Sequence, residues 1–145
     1  MFLVAVARPQ WDHSRNKNLN GLIGCWPFTY KKAAARSSIN RPWGTVVTYA
    51  MTSIDQIKHC GMLINKVIPA IRENFPARAK QHPIYIQLDN AGPQHTKKTD
   101  TEVTAAGQMC GLNTQLRRQP AQSPDLNCLD LGFFNAICLF KRRSV

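Results

Sequence analysis

The chain is poor in several things, and each absence excludes a class of protein. No stretch comes near the roughly 18 consecutive apolar residues of a membrane span, so no transmembrane helix is expected. The five cysteines, Cys25, Cys60, Cys110, Cys128 and Cys138, are odd in number and none forms a CxxC pair. That argues against a disulfide framework and a zinc ribbon, and predicts reduced, buried thiols of a cytosolic or nuclear protein. His13, His59 and His82 have no metal-ligand spacing with those cysteines. There is no internal repeat, and the nine prolines and eight glycines are scattered, so no low-complexity linker stands out. The apolar start, Met1 to Ala7, is too short for a signal peptide and lacks a charged lead. It reads as a strand that begins abruptly, which predicts a domain truncated at its front.

Acid is the scarcest commodity. Eight Asp and Glu stand against 19 Lys and Arg among 145 residues, a net charge of +11. Such an excess draws polyanions, nucleic acid first and an anionic membrane surface second, although a basic protein can also be merely basic. The length suits one domain, and 43% hydrophobic residues suffices for a real core.

The pattern along the chain predicts an α/β arrangement with a mixed sheet. Phe2 to Ala7 suits a buried strand, and Arg8 to Asn20 a loop or hairpin. Leu22 to Phe28 is a second strand. Lys31, Lys32, Arg36 and Arg41 fall in an expected basic loop, and Thr45 to Tyr49 in a third strand. Ser53 with Gln56 suggests a capping box. The helix behind it carries Ile54, Ile57, Gly61, Ile64, Ile68 and Ile71 at helical spacing, widened by Leu63 and Val67. Pro69 is expected to kink or end it. Ile84 to Leu88 is a strand running into Asp89. Thr101 to Gln108 is a weaker helix closed by Gly111, Thr114 to Arg117 a short strand, Pro120 to Pro124 a turn, and Leu126 to Phe140 a last helix.

Two acids stand out by position. Asp89 follows the end of an apolar strand, where ligand sites of open α/β sheets gather. Asp130 opens a helix. Two such carboxylates can hold hard cations like Mg²⁺, and a metal pair can drive phosphodiester chemistry. On position alone, a turn residue at Asp89 and a helix-capping or first-turn acid at Asp125 or Asp130 explain them as well. Trp11, Trp26 and Trp43 read chiefly as packing residues, with base stacking as the alternative. The tail Lys141-Arg142-Arg143 suits either a helix C-terminus or a nuclear-entry or DNA-contacting patch.

The motifs narrow this. Asp89-Asn90-Ala91-Gly92-Pro93-Gln94-His95 resembles the DNAxPH signature of the mariner and Tc1 transposase superfamily. Ser123-Pro124-Asp125-Leu126-Asn127 with Leu129-Asp130-Leu131-Gly132-Phe133-Phe134 resembles its SPDLN–LD–GFF block, in the form of the plant and oomycete branch. Phe2 to Pro9, Ile23 to Phe28, Arg36-Ser-Ser, Asn40 to Thr45 and Met62 to Ile71 add matches, so the resemblance covers nearly the whole chain.

The resemblance implies an RNase H-like fold and Mg²⁺- or Mn²⁺-dependent cleavage and transfer of DNA, with DNA as partner, nuclear or cytoplasmic residence, and a homodimer as the family's usual state. It implies that Asp89 is the second catalytic and metal-binding acid and Asp130 the third, five residues past Asp125. Asn90, His95 and Asp125 would support the site. Apart from the resemblance, the basic excess makes Lys31, Lys32, Arg36, Arg41, Arg117 and Arg118 the expected footprint for nucleic acid. The sequence departs from the family in three ways. The strand bearing the first catalytic Asp and the helix-turn-helix region have no counterpart, and the only acids before Asp89 are Asp12, Asp55 and Glu73, none at a suitable position. Gln94 splits the family's Pro-His, and 40 residues separate Asp89 from Asp130, one more than the plant-type interval. The family sequence also runs on past Phe140. The expectation is a catalytic-domain fragment spanning 1–145 that lacks the centre of its sheet, is inactive alone and still binds nucleic acid. A non-catalytic basic nucleic-acid-binding module and a non-functional relic are the rivals.

Overall fold

The computed structural model describes residues 1–88, 96–120, 122–123, 126–129 and 132. The chain is mixed α/β. Its elements run β1 (Phe2–Val6), β2 (Gln10–Asp12), β3 (Lys17–Leu19), β4 (Leu22–Pro27), β5 (Thr29–Ala33), β6 (Val46–Ala50), α1 (Gln56–Met62), a π-helical turn (Leu63–Val67), α2 (Ile68–Asn74), α3 (Ala77–Lys80), β7 (Ile84–Leu88), α4 (Lys97–Met109) and β8 (Thr114–Arg118). The expected helix from Leu126 to Phe140 lies largely outside the described residues.

The strands do not join into the expected single mixed sheet. Among the described residues they form four two-stranded sheets: antiparallel β1–β4, β2–β3 and β5–β6, and parallel β7–β8. Among the described strands β1 pairs only with β4, and β7 only with β8. Helix packing unites them instead. Ile23 of β4, Ile84 of β7 and Val103 of α4 share one core with Leu63, Val67, Ile68 and Ile71 of the long helix. Leu3, Ala5, Ile86, Leu88 and Leu116 pack against its margin. β1 is accordingly half-buried, not buried, with Phe2 exposed.

The long helix runs from Gln56 to Asn74, and Pro69 neither ends it nor stands in an ordinary α-turn. A proline ring collides with the carbonyl four residues back and offers no N–H. The turn before it is widened: the Ile68 N–H reaches Leu63 O, five residues back. That extra residue shifts the buried face by one position. Ile68 and Ile71 are buried as the periodicity predicts, but upstream the buried residues are His59, Cys60 and Leu63. Ile57, one of the expected stripe, is 83% exposed, whereas Leu63 is 1% exposed. The cap differs as well. Asp55, not Ser53, caps the helix, its carboxylate accepting from the Lys58 N–H at 2.8 Å. Gln56 turns away, its Nε2 donating to Thr96 Oγ1 and Thr99 Oγ1, each at 2.7 Å, and so ties α1 to the start of α4.

The β7–α4–β8 unit is a parallel crossover. α4 is longer than predicted because Thr96 caps it, accepting from Thr99 N–H. It stops at Gly111, whose φ of +73° is readily adopted only by glycine. The Arg8–Asn20 segment forms the β2–β3 hairpin, held to the helix by Arg15 Nη1 donating to Glu73 O at 2.7 Å.

The thiols are free as expected, but only Cys60 is buried. Cys25 and Cys128 are exposed and Cys110 is half-buried, while Cys138 lies outside the described residues. No helix among the described residues is long and apolar enough to cross a membrane.

Candidate nucleic-acid interface

Lys31 and Lys32 belong to a strand, not to a loop. β-branched Val46, Val47 and Thr48 supply the partner strand, and period-two alternation sorts the ribbon into two faces. Tyr30 lies opposite Tyr49, Lys31 opposite Thr48, and Lys32 opposite Val47. Tyr30, Lys32, Val47 and Tyr49 therefore share one face, and the two tyrosine rings stack at 5.6 Å between centroids. Lys31 is on the other. All of β5 is exposed, and all of β6 except half-buried Val47. A ribbon wetted on both faces is an arm, not a core strand.

Its base is fixed. The Phe28 N–H donates to Met1 O at 3.0 Å, and the Met51 N–H to Phe28 O at 2.9 Å. The Phe28 ring is 3% exposed and stacks on buried His59. Its tip is also fixed. Ser38 and Arg41 exchange two backbone hydrogen bonds of 2.8 and 3.1 Å. The Trp43 N–H donates to Ser37 Oγ at 3.0 Å, and Thr45 Oγ1 donates to Pro42 O at 2.8 Å. Ala34, 3% exposed, is covered by this loop.

The arm carries Lys31, Lys32, Arg36 and Arg41, and the chain holds no acid at all between Asp12 and Asp55. None of the four cations enters an ion pair among the described residues. Arg41 is half-buried and its Nε has no hydrogen-bond partner among the described residues. The result is a positive field with nothing local to neutralise it.

Arg117 and Arg118 lie elsewhere, at the C-terminal end of β8. The Arg117 guanidinium carbon sits 3.7 Å above the Tyr85 ring, a cation–π contact on the exposed face of the β7–β8 ladder. The six expected contact residues are thus divided between two elements, four on the arm and two on the parallel ladder.

The candidate catalytic residues Asp89 and Asp130, and the supporting Asn90, His95 and Asp125, lie outside the described residues. What precedes and follows them is described. β7 ends at Leu88, whose carbonyl accepts from the Gln119 N–H at 2.9 Å. Gln87 Nε2 donates to the carbonyl of Leu126 at 3.1 Å. The residue two before Asp89 is therefore bonded to the residue just after Asp125.

The acids earlier in the chain have other duties. Asp12 accepts from the Ser14 hydroxyl at 2.6 Å and its N–H at 2.9 Å, contacts that hold its carboxyl below the usual range. The Lys58 N–H lowers Asp55 in the same way. Glu73 lies within α2. Burial, aided by Glu102 3.5 Å away, raises the Cys60 thiol.

The aromatic face of the arm was not anticipated from the basic-loop reading. Its signal was there: Tyr30 and Tyr49 stand at alternate positions in two β-prone runs. No protein-family model, curated protein or solved structure matches the chain significantly.

Proposed function

We propose that this chain is part of the RNase H-like catalytic domain of a mariner-like DNA transposase, that it binds DNA through the β5–β6 arm, and that it does not cut DNA alone. The arm is the observation that carries the binding. It combines four cations with no ion pair among the described residues, two stacked tyrosines and a chain segment free of acid. Phosphate contacts by such cations release counterions and dominate affinity.

The catalytic part of the reading rests on the DNAxPH-like and SPDLN–LD–GFF-like blocks. It is supported by the parallel β7–α4–β8 unit, whose first strand runs directly into Asp89, and by the Gln87–Leu126 bond that draws the second block toward that strand end. Asp89 and Asp130 are hard oxygen donors of the kind Mg²⁺ or Mn²⁺ takes. When bound, the metal would polarise a phosphodiester and lower the pKa of an attacking water or hydroxyl. Asp12 and Asp55 are engaged in their own turn and cap, and Glu73 stands on a helix, so none replaces the family's first acid. Asp89 and Asp130 alone would supply two of the three carboxylates with which the family holds its metal, so metal-assisted cutting by these residues alone is not expected. A purely nucleic-acid-binding role draws on the same arm and differs only in metal dependence.

Fluorescence anisotropy of a labelled duplex over a range of salt tests the binding. The expected result is a steep fall of affinity with salt. Replacing Lys31, Lys32, Arg36 and Arg41 by Gln should flatten the log–log slope by about 3 to 4, near 0.9 per lost phosphate contact. Salt-independent binding, or an unchanged slope, would refute the assignment. Cleavage of a transposon-end duplex in Mg²⁺ by the wild type, abolished in Asp89→Ala, would overturn the claim of inactivity.

A further inference from the structure

The tip of the arm is built mostly of ordinary turn residues, Ser37, Ser38, Asn40, Pro42 and Gly44, but Ile39 and Trp43 depart from that chemistry. Turn tips are usually Gly, Asn, Asp, Ser or Pro, residues that water solvates well. Here Ile39, within the turn that the Ser38–Arg41 bridge closes, is fully exposed, and Trp43, two residues beyond it, is 72% exposed. Both belong to a loop held by the Ser38–Arg41 exchange, the Trp43–Ser37 bond and the Thr45–Pro42 bond. Large apolar side chains fixed in water at the end of a projecting ribbon are costly to solvate, unless something covers them. The flanking Arg36 and Arg41, and the absence of any acid between Asp12 and Asp55, favour an anionic cover.

We infer that the tip is a wedge: Trp43, backed by Ile39, inserts against unstacked bases of duplex DNA while the arm's cations grip the adjoining phosphates. This rests on the DNA-binding reading above and adds the form of DNA that is preferred. A two-stranded β-ribbon is a width that the major groove of B-form DNA admits. Apolar wedges between base steps are a general means of kinking a duplex, and an indole face stacks on any base. The Tyr30–Tyr49 stack further along the ribbon offers a second aromatic surface beside Lys32. An anionic bilayer shares the charge but has no use for a rigid planar wedge at a single step.

A wedge gains most where unstacking has already occurred. The whole chain should therefore bind a duplex with a central two-base bulge more tightly than the same duplex fully paired, by roughly tenfold, the scale of one base–aromatic stack. The double variant Ile39→Ser/Trp43→Ala should bind both duplexes alike, with the salt slope of the wild type and an unchanged melting temperature, since neither side chain is part of the core. Trp43→Phe should keep most of the preference while removing the tryptophan quenching that bulged DNA causes. Equal binding of the two duplexes by the wild type, or a preference surviving in the double variant, would overturn the wedge and leave the DNA-binding reading standing. Absence of binding to either duplex would sink both. Binding to phosphatidylserine vesicles that depends on Trp43, or a dimer that the double variant dissolves, would assign the tip to a bilayer or to a second copy and overturn the proposal.

Discussion

Thr114 Oγ1 occupies the space that a side chain on Gly107 would need: a Cβ there would lie 1.9 Å from it. Thr114 is wholly buried and its hydroxyl donates to Val103 O at 3.4 Å. The close seating of α4 on β8 thus depends on a glycine in the last turn of the helix, a residue of poor helix propensity. Gly107→Ala should destabilise the protein by about 1 to 3 kcal/mol despite the better helix former, because overpacking a buried contact outweighs propensity. Adding Thr114→Ala should recover part of the loss. Urea unfolding of the single and double variants reads both effects, and a stabilised single variant would contradict this packing.

The widened turn ahead of Pro69 yields a second expectation. Leu63→Ala should cost about 2 to 5 kcal/mol, the range for emptying a buried leucine site. Ile57→Ala should stay within about 0.5 kcal/mol, as exposed positions do. A helix without the π-turn would bury Ile57 with Ile64 and Ile68. Equal losses at positions 57 and 63 would therefore argue for that uninterrupted helix.

Asp55 caps the long helix, and its lowered pKa links that cap to pH. The charged form is favoured in the folded state by the Lys58 N–H. The stabilisation is present above the unfolded value, near 3.9, and is lost as pH falls through the lower folded value. Asp55→Ala should melt below the wild type at neutral pH, with the gap closing in acid. Asp55→Asn should retain more of the cap, since its side-chain oxygen still accepts. Melting curves between neutral pH and strong acid decide this, and a gap that widens in acid would contradict it.

Metal supplies the fourth test. If Asp89 and Asp130 meet as the motifs imply, millimolar Mg²⁺ or Mn²⁺ should raise the melting temperature of the wild type, because a ligand bound only by the folded state stabilises it. Asp89→Ala should abolish the rise. A cooperative transition indifferent to metal in both proteins would leave a folded protein with no working metal site.

Much of the fold was legible because it depends on local pattern. Short apolar and β-branched runs marked β4, β6 and β7, and Gly111 marked the end of α4. Two local readings failed for non-local reasons. Ser53 and Gln56 have the spacing of a capping box, yet Gln56 is drawn to Thr96 and Thr99, 40 and 43 residues away. Lys31 and Lys32 read as loop because charge is rare in strands, yet a strand exposed on both faces has no reason to exclude it.

By itself the sequence determined the chemistry: the excess of cations, the acid-free stretch between Asp12 and Asp55, and the acids at positions 89 and 130 within their motifs. These are matters of composition and order, which no folding alters. Only the tertiary structure decided which helix face is buried, since one extra residue in a turn rotates everything upstream of it. Tertiary structure also decided that Lys31, Lys32, Arg36 and Arg41 share one arm, while Arg117 and Arg118 stand apart on a ladder. And it exposed Trp43, a residue whose type predicts burial, in a loop closed by its own hydrogen bonds.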